Sequence, residues 1–113
     1  MMKPGHLYLK QDPNNPERNA SMGGMRPEYL GGIPTIVRCF AHYGSPCVLT
    51  SGTDGEHMDG SLHYEGLAGD YRIWYVAAEE LEALVADLRW TLGYGWDVVL
   101  EGTHIHIERD LKK

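Results

Sequence analysis

Trp96-Asp97-Val98-Val99-Leu100-Glu101-Gly102-Thr103-His104-Ile105-His106-Ile107-Glu108 reads as two strands around a tight turn, and that reading decides the fold. Trp96 to Leu100 is apolar and rich in β-branched residues, Glu101-Gly102 is a turn or bulge, and Thr103 to Glu108 alternates, so the two runs are placed to pair as a hairpin. Side chains at i and i+2 of a strand share a face. His104 and His106 therefore point one way, and Ile105 and Ile107 the other. Two histidines on an edge strand are commonly surface residues, so this pair gains meaning only from what lies upstream.

Upstream stands Ser61-Leu62-His63-Tyr64-Glu65-Gly66-Leu67-Ala68-Gly69-Asp70, which sets an imidazole and a carboxylate on either side of a glycine turn. Two imidazoles and one carboxylate make a three-ligand set that leaves a fourth position on zinc open, the arrangement of catalytic rather than structural zinc. Iron or cobalt would satisfy the same ligands.

Working outward, His6 to Leu9 is a short edge strand, and Gln11 to Met25, with its prolines, asparagines and glycines, is a loop expected to fold over one rim of the site. Arg18 and Arg26, in or beside it, read as solvated, with contact to a substrate carboxylate as the alternative. Pro34 to Tyr43 is a helix with Pro34 at its start, Ile36, Val37, Phe40 and Ala41 as its apolar stripe, Gly44 as its stop and His42 on its exposed side. Cys47 to Thr50 is a strand, Ser51 to Gly60 a polar loop, and Leu67 to Val76 a central strand with Asp70 near its beginning. Glu79 to Leu92 is the clearest helix, with Leu81, Leu84, Val85, Leu88 and Leu92 buried and Gly93 ending it. The order predicts an α+β domain: a small, largely antiparallel sheet with two helices on one face, leaving the metal residues to the opposite face or one edge.

At 113 residues the chain is read as one domain spanning 1–113, with a single modest core. A net charge of −6 argues against nucleic acid and against non-specific attraction to anionic membranes or wall polymers. No apolar run has the length of a membrane span, and Met1-Met2-Lys3-Pro4-Gly5 lacks the apolar core of a secretory signal. The chain is thus expected to be made in the cytoplasm, with release at lysis or a place in a virion as routes out. Cys39 and Cys47 read as two buried thiols rather than a bridge.

The pattern Ser61-x-His63-x-x-Gly66-x-Ala68-x-Asp70, followed by His104-x-His106, resembles the zinc motif of the M15-type D-Ala-D-Ala peptidases. It is still more similar to their relative, the hedgehog signalling domain, in Gly55-x-His57, in Ser61-Leu62-His63-Tyr64-Glu65-Gly66 and in His104-Ile105-His106. The resemblance covers Val48 to Glu108 and leaves the N-terminal third unmatched. It implies a hedgehog/DD-peptidase-like fold with zinc held by His63, Asp70 and His106. It further implies that His104 lies beside the metal to hydrogen-bond a bound water or developing oxyanion, that His57 orients a water or the substrate carbonyl, and that Glu101 is the general base.

The activity so implied is that of a zinc metallopeptidase of DD-/LD-carboxypeptidase or endopeptidase type. It would cleave an amide bond in bacterial peptidoglycan stem peptides by zinc-bound water, as in cell-wall degradation by a phage endolysin. The alternative is a catalytically inactive, hedgehog-like zinc-containing binding or virion structural module. Two departures from the family pattern bear on this. Glu101 lies one residue nearer the histidine pair than its hedgehog counterpart, with Gly102 as the place where a bulge would correct its aim. After Ser51-Gly52 there is no arginine to clamp a substrate carboxylate, which favours an internal bond of the stem peptide over a C-terminal one. Tyr64 is expected to line the site or pack, Trp74 to lie in the core, Glu65 to be solvated, and Asp54, Glu56 and Asp59 to form a solvated acidic loop rather than a calcium site.

Overall fold

Strands β4 (Trp96–Glu101) and β5 (His104–Arg109) form the expected hairpin, with Gly102 and Thr103 as its turn. The structure, a computed structural model, describes residues 1–54 and 60–112. β1 (Leu7–Leu9), β2 (Cys47–Ser51) and β3 (Ala68–Arg72) complete a five-stranded sheet in the order β1-β2-β3-β5-β4. Three of its pairings are antiparallel; β1 lies parallel to β2, which makes the sheet mixed. The first and last strands of the order are edges.

Alternation sorts the strand residues onto two faces. Cys47, Leu49, Tyr71, Val98, Ile105 and Ile107 are buried on one of them, in a single cluster with the helices α2 (Ile33–His42) and α3 (Leu81–Leu92). α2 buries Ile36, Cys39 and Phe40, at the spacing of one helical face. Its stripe is rotated slightly from the sequence expectation, with Cys39 in the core and Ala41 only partly covered. α3 buries Leu84, Val85 and Leu88, and Glu79 and Glu80 stand just ahead of it in a 3-10 turn. Both cysteines are buried and unbridged, and burial pushes the Cys47 thiol up to about 12. Among the described residues no helix is long and apolar enough to cross a membrane.

Three further features depart from the sequence reading. The loop between β1 and α2 contains one turn of helix, α1 (Pro27–Leu30), which carries the fully buried Tyr29 against Trp96. β3 stops at Arg72, short of Val76, because the chain turns at Trp74 and Tyr75. Trp74, expected in the core, is 69% exposed, with the Arg72 guanidinium stacked 3.8 Å over its ring. The free edge of β4 is partly covered: the Arg89 guanidinium donates twice to the Val98 carbonyl, at 3.1 and 2.8 Å.

Inside the core, the Tyr29 hydroxyl donates to the Ile107 carbonyl at 3.2 Å and meets the Tyr71 hydroxyl at 2.8 Å. Gly69 makes room for this pair, since a Cβ there would stand 2.7 Å from the Tyr29 hydroxyl and 2.9 Å from Leu49 Cδ1. Gly69→Ala is therefore expected to destabilise the protein by about 1–3 kcal/mol through overpacking. Gly102→Ala, where a Cβ meets nothing within 4 Å, is expected to stay within about 0.5 kcal/mol of the parent. Denaturant midpoints of the two variants check the contrast.

Candidate metal centre

The pairing of β3 with β5 sets Asp70 directly opposite His106 and Arg72 opposite His104, on the face turned away from the helices. Glu101 on β4 faces His104 from the other side. His63 comes from outside the sheet. The turn that carries it is closed by backbone bonds from Tyr64 to Ser61, Gly66 to His63 and Leu67 to Leu62, and the Ser61 hydroxyl accepts the His63 N–H at 3.2 Å. Gly66 takes a positive φ of 73°, and a Cβ there would run into the Gly24 carbonyl oxygen.

The N-terminal loop is what Gly66 packs against. Arg26 N–H donates to the Gly66 carbonyl, Thr53 N–H to the Ser21 carbonyl, and Asp54 accepts from the Ser21 and Gly52 N–H groups. The loop thus braces both segments that hold His63. The arginine side chains of this loop point elsewhere: the Arg26 guanidinium pairs with Glu28, and Arg18 is exposed. Asp54 acts here as a tie between loops. Glu56, Asp59 and the expected site residue His57 lie outside the described residues.

His63, Asp70 and His106 each present a ligand atom, all within 4.8 Å of one another. His63 Nδ1–H donates to the Gly52 carbonyl at 2.8 Å, which fixes the ring and leaves Nε2 to face Asp70 Oδ1 at 3.5 Å. His106 donates from Nδ1 to Asp70 at 2.8 Å and from Nε2 to Glu108 at 2.7 Å. The rings of His63 and His106 stand 5.1 Å apart, centroid to centroid. Two imidazole nitrogens and one carboxylate oxygen, each ring steadied through its other nitrogen, suit a borderline transition-metal ion. The donor set therefore fits the metal that the sequence pattern implies.

His104 lies beside this group, its Nε2 3.7 Å from Asp70 and 3.4 Å from Glu101 Oε1, its Nδ1 2.9 Å from the Thr103 hydroxyl. Side-chain exposure rises from 4% at His63 through 15% at Asp70 and 18% at His106 to 28% at His104 and 49% at Glu101. The three candidate ligands form a floor and Glu101 stands at the open rim. Tyr64 is half exposed and Glu65 exposed.

Charge follows the same geometry. Burial would raise the Asp70 carboxyl, but hydrogen bonds from His106 and His63 and the neighbouring imidazoles outweigh it and hold it well below the usual carboxylate range. His106 is raised to about 9 by its bond to Asp70, against the opposing effect of burial and with help from Glu108. Glu108 is the residue that reading the sequence missed. Its position two residues after His106, on the same strand face, was the available signal.

Comparison of the chain with family models, with curated proteins and with solved structures gives no match in any of the three.

Two outcomes follow from the His106 contacts. A metal must displace the proton that His106 holds below about pH 9. Apparent metal affinity should then rise by about one decade per pH unit towards that value and flatten above it, with proton release visible by calorimetry in buffers of different ionisation enthalpy. Glu108→Gln, which removes the carboxylate from the outer nitrogen of His106, should weaken metal binding roughly 10–100-fold in a competition titration with a chromogenic chelator.

Proposed function

We propose that this chain is a zinc-dependent peptidase, related to the M15-type D-Ala-D-Ala peptidases and the hedgehog domain, that hydrolyses an amide bond in peptidoglycan stem peptides. The observation that carries the reading is the convergence of His63, Asp70 and His106 into one ligand set, with Glu101 and His104 at its open side. A purely structural site has four protein ligands and is closed. Here three groups form the floor, and the carboxylate beside them is half exposed.

Zinc held by His63, Asp70 and His106 would supply Lewis-acid polarisation of the scissile carbonyl and a water acidic enough to attack it near neutral pH. The chain's own residues account for the protons. Glu101 takes one from the attacking water and returns it to the leaving amine, so that the amide is replaced by a carboxylate and a free amine. His104 Nε2–H, when the Thr103 hydroxyl donates to Nδ1, is placed to donate to the oxygen on which negative charge develops. His63 and His106 keep their orientation through the Gly52 carbonyl and Glu108. The net charge of −6 requires that a wall-derived peptide be recognised locally rather than by bulk attraction.

Digestion of purified peptidoglycan and its soluble stem peptides, read by mass spectrometry, tests this. Zinc-loaded protein should yield new amine-terminated fragments that disappear on chelation. Glu101→Gln should lower kcat by roughly 10²–10⁴-fold with zinc content unchanged. A full zinc load with no cleavage of any stem peptide would point instead to a binding module.

A further inference from the structure

Glu101, His104 and Asp70 form a second group of ligand-competent side chains, which shares Asp70 with the first. His104 Nε2 stands 3.4 Å from Glu101 Oε1 and 3.7 Å from Asp70 Oδ1. Hydrogen-bonded nitrogen and oxygen approach to about 2.9 Å. Two ligands on one ion, with bonds of about 2.0–2.1 Å, stand about 3.3 Å apart in tetrahedral coordination. The separations around His104 match the second spacing better than the first. In the tautomer opposite to the one that serves the oxyanion, Nδ1–H donates to the Thr103 hydroxyl and the ring turns an unprotonated Nε2 towards both carboxylates. Strand register fixes the arrangement, because Glu101 and His104 are direct cross-strand partners and Asp70 pairs with His106, two residues further along β5.

We propose that Asp70, Glu101 and His104 bind a second divalent cation of the zinc type, the Asp70 carboxylate being shared between the two ions. Carboxylates bridge ions about 3.5–4 Å apart in two-metal sites. This second site is the weaker one. Its Glu101 ligand is 49% exposed and gives up side-chain freedom when held, whereas His63 is 4% exposed and already fixed. A consequence rests on the peptidase reading: an ion on Glu101 withdraws the carboxylate that carries the proton, so the second equivalent of metal shuts turnover down.

The test counts metal and does not depend on activity. Chelator-stripped protein is titrated with zinc alone, and bound zinc is measured by equilibrium dialysis and elemental analysis, with circular dichroism confirming the fold of each variant. The parent chain should bind two equivalents in separable steps. His104→Ala and Glu101→Ala should each keep the first and lose the second. A single equivalent in the parent, or a second one that survives in both variants, overturns the proposal. Stem-peptide hydrolysis followed in the same samples separates the two readings. No hydrolysis at one equivalent counts against the peptidase and leaves the second site standing on stoichiometry. Undiminished hydrolysis at two equivalents overturns the regulatory consequence.

Discussion

A carboxylate drawn out of water needs donors or cations around it, and the site is built on how Asp70 meets that need. Its Oδ1 lies within 4 Å of nitrogens from His63, His104 and His106. Two of those imidazoles come from β5 and one from the turn ahead of β3, so a single carboxylate ties a local turn to a strand more than thirty residues later. Imidazoles gathered round an anion are also imidazoles gathered round a position where a metal can replace their protons. The same side chains that settle the charge of Asp70 are the ones that could hold a metal ion.

That arrangement depends on register. Asp70 opposite His106 and Tyr71 opposite Ile105 are consecutive pairs of one ladder, and they send their side chains to opposite faces. A slip of one residue would turn Ile105 and Ile107 to the solvent and bring the histidines against Phe40 and Leu88. The core thus enforces the geometry of the site. The Tyr29 hydroxyl, which holds the Ile107 carbonyl from the helix side, works to the same end.

The hairpin, the face shared by His104 and His106 and helix α3 were legible in the sequence because each follows from local periodicity. The meeting of His63 with Asp70 and His106 was legible only through its pattern of residues, since nothing local brings a turn onto a distant strand. The parallel pairing of β1 with β2 was not legible, nor was the helical turn at Tyr29, because both are decided by what the rest of the fold leaves to be covered. Trp74 misled because an aromatic in an apolar run looks like core, and only the turn after Arg72 puts it outside. Glu108 escaped because its role depends on which way the His106 ring is turned, a matter of hydrogen bonds rather than spacing.

The strand that supplies Glu101 is an edge, with Val99 and Leu100 substantially exposed on it. Such a strand is a template for another chain's backbone. The Arg89 fork on the Val98 carbonyl fills an outward-facing acceptor that an incoming strand would need. Its charge adds an electrostatic guard at the same spot. A helix residue outside the candidate site thereby occupies a backbone acceptor on the edge of β4, the same strand that carries Glu101 at the open rim.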